Sequence, residues 1–305
     1  DPGQDDAVAL LLAFASPELD VLGVTTVGGN VPLELTHRNA RMMCDLAGSD
    51  VPVFAGCDKP MRRPLKTAEY IHGETGIDGI DVFEPNTPLQ PQHGVDFIIE
   101  TLLAADDSSI TLVPTGPLSN IGTVIERAPA VLPKIERIVL MGGAMREGGN
   151  RTPSAEFNIL VDPEAADVVF RSGRPIVQMG LDVTHRVLST KDRVDRIRAL
   201  DNPVAIATAG MIGFFERYDM SKYSAPGAPL HDPCTVAWLI KPELFNGKDC
   251  NVAIETQSTL TLGHTAVDFW HVTDRPRNVY WVYEVDSDGF YKLLTERLAT
   301  YGDTA

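Results

Sequence analysis

Short apolar segments rich in β-branched residues alternate with helix-period segments along most of this 305-residue chain. The strand-like segments include LDVLGVTTV, VPVFAG, SITLVPTG, IERIVLMGG and PIVQMGLDVT, and the helix-like ones include LTHRNARMMCDLAG, VDFIIETLLAA, NIGTVIERA and PEAADVVFRSG. This alternation predicts an α/β fold with a mainly parallel, doubly wound (Rossmann-like) sheet and helices on both faces. Because no repeat, low-complexity tract or linker interrupts the pattern, we expect a single domain over residues 1–305.

Polar or glycine-rich loops follow the predicted strands. They are GGN, TGPLSN, GGAMREGGNRTPSAEFN and LDVTH. In sheets of this kind ligands bind beyond the carboxyl ends of the strands, so these loops should converge at one edge of the sheet. The candidate functional residues in or beside them are Asn30, Thr115, Asn150, Glu156 and Asn158.

The chain opens with DPGQDDAVAL, which places Asp1, Asp5 and Asp6 directly before an apolar helical run. One acid at this point is explained by helix capping, since it accepts bonds from free N–H groups and complements the helix dipole. Three acids repel one another, which favours a cation or a polyhydroxylated ligand among them. Both interpretations stay open on this stretch alone. We also expect a strand before Asp1, outside the printed sequence.

A second acidic helix start occurs in APLHDPCTVAWLI, where His231 and Asp232 precede an apolar run. If Asp1, Asp6 and Asp232 meet in the fold, a cation must offset their mutual repulsion. An all-oxygen set suits calcium or magnesium better than zinc, which prefers histidine and cysteine. With neutral amides nearby, the set predicts a pocket for a diol rather than for a phosphate.

The charge balance limits the partners. The chain has 42 acidic and 26 basic residues, a formal charge of -16, and no Lys/Arg cluster, so we expect it to bind neither nucleic acid nor an anionic membrane surface. Its four cysteines have no CxxC spacing, which favours free thiols and a cytoplasmic location. No apolar run reaches the roughly 18 residues of a membrane span, and no signal segment is recognisable.

Residues 61–92 form a long stretch of Pro, Gly and polar residues with little periodicity. The pattern predicts a surface excursion that closes over a pocket. An inert insertion is the alternative.

Six blocks of sequence carry a family resemblance: DPGQDDAVAL, VGGN, LVPTGPLSN, IVLMGGAMREGGN, AEFNILVDPEAA and LHDPC. In this order, and across essentially the whole chain, they resemble the inosine-uridine-type nucleoside hydrolases. The resemblance implies a single α/β domain that cleaves the N-glycosidic bond of a small-molecule nucleoside with water. It also implies a calcium cofactor (Ca2+) and a homodimer or homotetramer.

The resemblance also implies roles for individual residues. Asp1, Asp6, Asp232 and the Thr115 carbonyl resemble the calcium ligands, and Asp1 resembles the base that takes a proton from the calcium-bound water attacking C1′. His231 would protonate the departing base, and we expect its ordinary pKa of about 6.5 to be supported by the neighbouring carboxylates. The implied substrate-binding residues are Asp5, Asn30, His72, Met141, Asn150, Glu156, Asn158, Phe214 and Tyr218.

The base-facing segment GFFERYDMSKYSAPGAP departs from the pattern of the family. It offers Phe214, Tyr218 and Tyr223 where some relatives place two tyrosines. Phenylalanine can stack on a base but cannot donate a hydrogen bond. The preference between purine and pyrimidine therefore stays open, and core packing is an equal explanation for each of these aromatics.

Two other functions are alternatives to nucleoside hydrolysis. A magnesium-dependent phosphatase of the haloacid-dehalogenase type needs a second aspartate two residues after the first, where this chain has Gly3, and a phosphate-binding lysine that no strand end supplies. A nucleoside- or sugar-binding protein that does not cleave its ligand is the second alternative. The missing secretion signal and the His231–Asp232 pair weigh against it.

Overall fold

The structure, a computed structural model, describes residues 1–223 and 226–302 and gives the side chains of these residues except 215–223. Within that part of the chain lie eleven strands and twelve α-helices, together with three short 3-10 segments. The strands are β1 Val24–Thr26, β2 Val53–Ala55, β3 Leu89–Gln90, β4 Ile110–Leu112, β5 Ile135–Met141, β6 Ile176–Met179, β7 Leu188–Thr190, β8 Gly227–Pro229, β9 Phe245–Ile254, β10 Thr265–Asp268 and β11 Val279–Val285.

Helices connect these strands and lie on both faces of the sheets. They are α1 Gln4–Phe14, α2 Leu33–Ala47, α3 Glu69–His72, α4 Gly94–Ala104, α5 Ser119–Arg127, α6 Phe157–Val161, α7 Pro163–Phe170, α8 Leu181–Thr184, α9 Lys191–Arg198, α10 Pro203–Tyr223, α11 Pro233–Ile240 and α12 Ser287–Ala299. The 3-10 segments are Pro129–Lys134, Pro242–Leu244 and Thr300–Gly302.

The main sheet has six strands in the order β10-β9-β11-β6-β5-β4. Strands β4, β5, β6 and β11 run parallel, and β9 and β10 extend the sheet in antiparallel fashion. A separate parallel sheet has the order β1-β2-β3, and β7 pairs with β8. The predicted α/β class with a mainly parallel sheet is confirmed. The strand expected before Asp1 stays a prediction.

The central strands are buried on both faces, which explains why they are apolar almost without interruption. Successive residues of a strand point to opposite faces. Accordingly Val139 belongs to the core beneath α1 and α11, whereas Ile138 and Leu140 belong to the core beneath α4, α5 and α7. Helices on both faces are the arrangement expected of a doubly wound sheet.

Two helix starts bring the acidic motifs together. Helix α1 begins directly after Gly3, whose N–H donates to an Asp6 oxygen at 3.1 Å. Helix α11 begins directly after Asp232, with Pro233 in its first turn. Because α1 packs against α11, the first turns of the two helices, with their aspartates, lie side by side.

The 61–92 segment contains α3 and β3 but is otherwise irregular. It folds back onto the body of the protein, because Ala68, His72 and Ile77 within it are buried. Among the described residues, no helix combines the length and the apolar character that crossing a membrane requires.

Candidate active site

Three carboxylates form the centre of the candidate site. Asp5, Asp6 and Asp232 each offer an oxygen atom within 4.8 Å of the others, and all three side chains are buried. The paired starts of α1 and α11 bring them together, so the two acidic motifs DPGQDD and LHDPC do meet in the fold.

The carboxylate of Asp1 lies beside this trio, between two loops. Its Oδ2 accepts a hydrogen bond from the Asn30 N–H at 2.7 Å. A Cβ added to Gly29 or to Gly116 would lie 2.0 Å from an Asp1 oxygen, so both loops need glycine there. The ligand set implied by the resemblance contains Asp1, whereas the closest group of oxygens contains Asp5 instead.

Asp6 is the most heavily hydrogen-bonded member of the trio. Thr115 Oγ1 donates to its Oδ1 at 2.7 Å, and Asn30 Nδ2 donates to its Oδ2 at 3.2 Å. Burial acts to raise the pKa of Asp6, whereas the hydrogen bonds that its carboxylate accepts from Thr115 and Gly3 act to lower it.

Burial and mutual repulsion raise the pKa values of the other two carboxylates. Burial, and then the charge of Asp6, raise the pKa of Asp5 to about 7. Burial, and then the charges of Asp5 and Asp6, raise the pKa of Asp232 well above its ordinary value. A divalent cation that prefers oxygen ligands would offset this repulsion, so the residues fit calcium or magnesium.

The sugar-side candidates follow strands β4 and β5. Asn158 Nδ2 donates to the Thr115 carbonyl at 2.7 Å and to the Met141 carbonyl at 3.3 Å. The hydroxyl of the same Thr115 donates to Asp6. The Asn158 amide therefore joins the loop after β4 to the end of β5, at the edge of the carboxylate cluster.

Glu156 and Asn150 organise the loop that follows β5. Glu156 caps α6, because its carboxylate accepts from the N–H groups of Asn158 and Ile159 at 2.9 and 3.2 Å. It also accepts from the Gly143 N–H at 2.9 Å, and burial raises its pKa. Asn150 Oδ1 accepts from the Phe157 N–H at 3.0 Å. These contacts hold the loop in one shape beside Asn158.

His231 differs in its electrostatics from the expectation. Its Nδ1 lies 2.7 Å from Thr184 Oγ1, and its ring centre lies 5.8 Å from that of His185. Burial, and then the positive charges of His185 and His72, lower its pKa to about 3. Burial therefore opposes the protonation of His231 that the sequence predicts from its neighbouring carboxylates.

His72 ends α3 and is buried, which lowers its pKa to about 4. Its Nδ1 lies 2.7 Å from Gln4 Oε1, and Gln4 Nε2 donates to the carbonyls of His72 and Asp78 at 2.9 and 3.1 Å. Gln4 is a residue that the sequence reasoning missed. Its position inside DPGQDD, between two groups of candidate ligands, was the available signal.

The aromatic candidates belong to α10. The Cβ of Phe214 would lie 2.9 Å from a Cβ added to Gly79, a residue with φ of 113°, so α10 contacts the 61–92 segment here. The side chains of Tyr218 and Tyr223 lie outside the described residues.

A cavity of about 670 Å³ also touches Asp1 and Asp6. Its lining is mostly apolar and comes from β1, β4 and the residues around them. His72, His231 and Asn158 are not part of that lining. A nucleoside needs polar partners for its sugar, so the polar cluster suits it better than this cavity does.

Comparisons with known proteins agree with this geometry. Residues 1–292 match the family described as inosine-uridine preferring nucleoside hydrolase. The pyrimidine-specific ribonucleoside hydrolase RihA of Photobacterium profundum is 50% identical over 303 residues, which cover 99% of this chain and 97% of that protein.

Solved structures share the fold. The purine-preferring ribonucleoside hydrolase from Gardnerella vaginalis has a TM-score of 0.93 at 32% identity. The match covers 100% of this chain and 98% of the Gardnerella chain. The plant nucleoside hydrolase PpNRh1 has a TM-score of 0.91 at 30% identity, and the match covers 98% of this chain and 96% of the plant chain. The motifs, the fold and the matches over nearly full length all agree. The chain belongs to the family of inosine-uridine preferring nucleoside hydrolases.

Proposed function

We propose that this protein hydrolyses pyrimidine ribonucleosides to free base and ribose. The observation that carries the proposal is the buried trio of Asp5, Asp6 and Asp232, to which the amide of Asn30 donates a hydrogen bond. The preference for pyrimidines rests on the relative from Photobacterium profundum, which is named pyrimidine-specific and shares half of its aligned residues with this chain. The purine-preferring protein is more distant, at 32% identity.

The cofactor that we propose is calcium, held by Asp1, Asp6, Asp232 and the Thr115 carbonyl. The choice follows from the donor chemistry, since carboxylates and a carbonyl suit a hard cation that takes six to eight oxygens. A bound calcium ion would offset the repulsion between the carboxylates and polarise the attacking water. The closeness of Asp5 to Asp6 and Asp232 makes Asp5 the competing ligand.

The surrounding residues suit the charge that develops during cleavage. Loss of the base leaves an oxocarbenium-like sugar that is positive at C1′ and the ring oxygen, and a ring of carboxylates stabilises that charge. Asp1 would take the proton from the attacking water. The ribose hydroxyls would be bound by Asp5 and Asn30, and the 5′ side of the sugar by Asn150, Glu156 and Asn158. Met141 would also contact the substrate.

The base would lie against the histidines and α10. His72 and His231 would bind its polar edge, and His231 would donate a hydrogen bond to the departing ring. Phe214 and Tyr218 would cover its face, since an aromatic ring stacks on any base. The contacts of Gln4 with the ring and the carbonyl of His72 support this proposal, because they hold the 61–92 segment against α1.

The test is a kinetic panel of uridine, cytidine, inosine and adenosine, with release of reducing sugar as the readout. We expect kcat/KM for the two pyrimidine nucleosides to exceed that for the purines by about tenfold or more, which corresponds to roughly 1.4 kcal/mol in transition-state binding. The reverse order would overturn the pyrimidine preference. Uridine that binds and stays intact would indicate a binding protein.

The assembly and location are also proposals. From the resemblance we propose a homodimer or homotetramer, which light scattering on the purified protein would test. A cytoplasmic location agrees with the four free cysteines, and cell fractionation would test it.

A further inference from the structure

Thr184 holds one nitrogen of His231. Its side chain is fully buried at the end of the short helix α8, just beyond strand β6. Its hydroxyl oxygen lies 2.7 Å from His231 Nδ1, which is the distance of a well-formed hydrogen bond. A half turn of the imidazole ring would break this bond, so the contact selects one orientation of the ring.

The contact also bears on which nitrogen carries the hydrogen. A neutral imidazole has one N–H donor and one acceptor nitrogen, and a partner on one nitrogen determines the state of the other. If the threonine hydroxyl donates to Nδ1, the hydrogen of His231 stays on Nε2. Nε2 is then a donor, which is what a departing base requires.

Helix α8 is well anchored for this purpose. The Asp182 carboxylate accepts from the N–H groups of Met145 and Arg146 at 2.7 and 2.8 Å. The Leu181 N–H donates to the Gly143 carbonyl at 2.9 Å. These bonds join α8 to the loop after β5, so the hydroxyl of Thr184 is a fixed reference point rather than a mobile surface group.

We propose that Thr184 is a positioning residue for leaving-group departure, whose hydroxyl donates to Nδ1 of His231 and keeps the Nε2 hydrogen directed at the base. The inference rests on the proposed role of His231 in the proposed function. Thr184 itself contacts His231 and needs no contact with the substrate.

The experiment compares Thr184→Val, which removes the hydroxyl at nearly constant shape, with Thr184→Ser, which retains it. Each variant is assayed on uridine and on p-nitrophenyl riboside, whose leaving group needs no proton. For Thr184→Val we expect kcat on uridine to fall about tenfold, the order expected for one lost hydrogen bond. KM, and turnover of the nitrophenyl substrate, should stay within about twofold. Thr184→Ser should restore most of the uridine rate.

Equal losses on the two substrates, or no loss with Thr184→Val, would overturn the inference. Circular dichroism melting of both variants shows whether a substitution disturbs packing. If Thr184→Ser folds normally but does not recover the uridine rate, the inference is also overturned.

His231→Ala, run in parallel, separates the proposed role of Thr184 from the proposed role of His231. If it slows uridine selectively while Thr184→Val does not, Thr184 alone is ruled out. If His231→Ala slows both substrates alike, the proposed role of His231 fails. In the double variant we expect no further loss beyond that of His231→Ala.

Discussion

Asp1 and Asp5 stand four residues apart, yet they lie in different surroundings. The Asp1 carboxylate accepts from the Asn30 N–H between two glycine loops, whereas Asp5 shares a buried trio with Asp6 and Asp232. If Asp1 is the general base, Asp1→Asn should lower turnover by roughly two to four orders of magnitude while substrate still binds. Asp5→Asn should act mainly on KM.

Elemental analysis of the same proteins checks the ligand assignment. Wild type should carry about one calcium per chain, and Asp5→Asn should retain it. If Asp1→Asn kept normal calcium and normal turnover while Asp5→Asn lost its calcium, the ligand would be Asp5 rather than Asp1.

The glycines behind Asp1 offer a second prediction at this scale. In Gly116→Ala the new Cβ would lie 2.0 Å from Asp1 Oδ1, so the carboxylate must move. We expect turnover to fall by about a hundredfold or more, close to the loss of the carboxylate itself. Gly302→Ala, at an exposed position, is the matched control, because the nearest described atom lies 3.7 Å from its added Cβ, an ordinary contact distance. Similar activities for the two variants would contradict this account of Asp1.

The residues that were predicted and those that were missed differ in kind. Aspartates, amides and the His231–Asp232 pair stood in short motifs with unusual charge density, and the sequence therefore pointed to them. Gln4 and Thr184 are ordinary residue types, and their importance comes from partners 68 and 47 positions away. Burial also lowers the pKa of His231, which composition alone does not reveal.

At the scale of elements, Gln4 is the link between α1 and the 61–92 segment. Its buried amide group makes three hydrogen bonds, to the ring of His72 and to the carbonyls of His72 and Asp78. Gln4→Ala removes these three hydrogen bonds, so we expect the free energy of unfolding to drop by about 1–3 kcal/mol. KM should rise because His72 is no longer fixed.

Gln257→Ala, at an exposed position, is the control for this experiment. Chemical denaturation and steady-state kinetics measure the two effects. If Gln4→Ala melted and bound nucleoside like the control, the 61–92 segment would have to be held by other contacts.

The elements themselves were predictable to different degrees. Strands β5 and β6 and helices α2, α4, α5 and α7 follow from the alternation of apolar runs, because each buries a continuous or periodic apolar surface. The sequence predicts a loop for LDVTH, but four of these residues form α8, since one helical turn is too short to show a period. The antiparallel strands β9 and β10 at one edge of the sheet lay outside the βαβ pattern.

At the scale of the whole molecule, the buried carboxylates link cation binding to stability. A ligand that binds only the folded state stabilises it by about 2.7 kcal/mol at a hundredfold excess over Kd. We therefore expect chelation of calcium to lower the melting temperature by several degrees and re-addition to restore it. Asp232→Asn should respond little to either treatment. A wild-type melting temperature that does not change on removal or addition of calcium would contradict the proposed cofactor.

Release of both products from uridine tests the central claim most directly. Purified protein is incubated with uridine in phosphate-free buffer containing calcium, and free ribose and free uracil are quantified in the same sample, with Asp232→Asn as the control. The account predicts ribose and uracil in equal amounts from the wild type and a loss of both in the variant. Intact uridine, or uracil without free ribose, would contradict it.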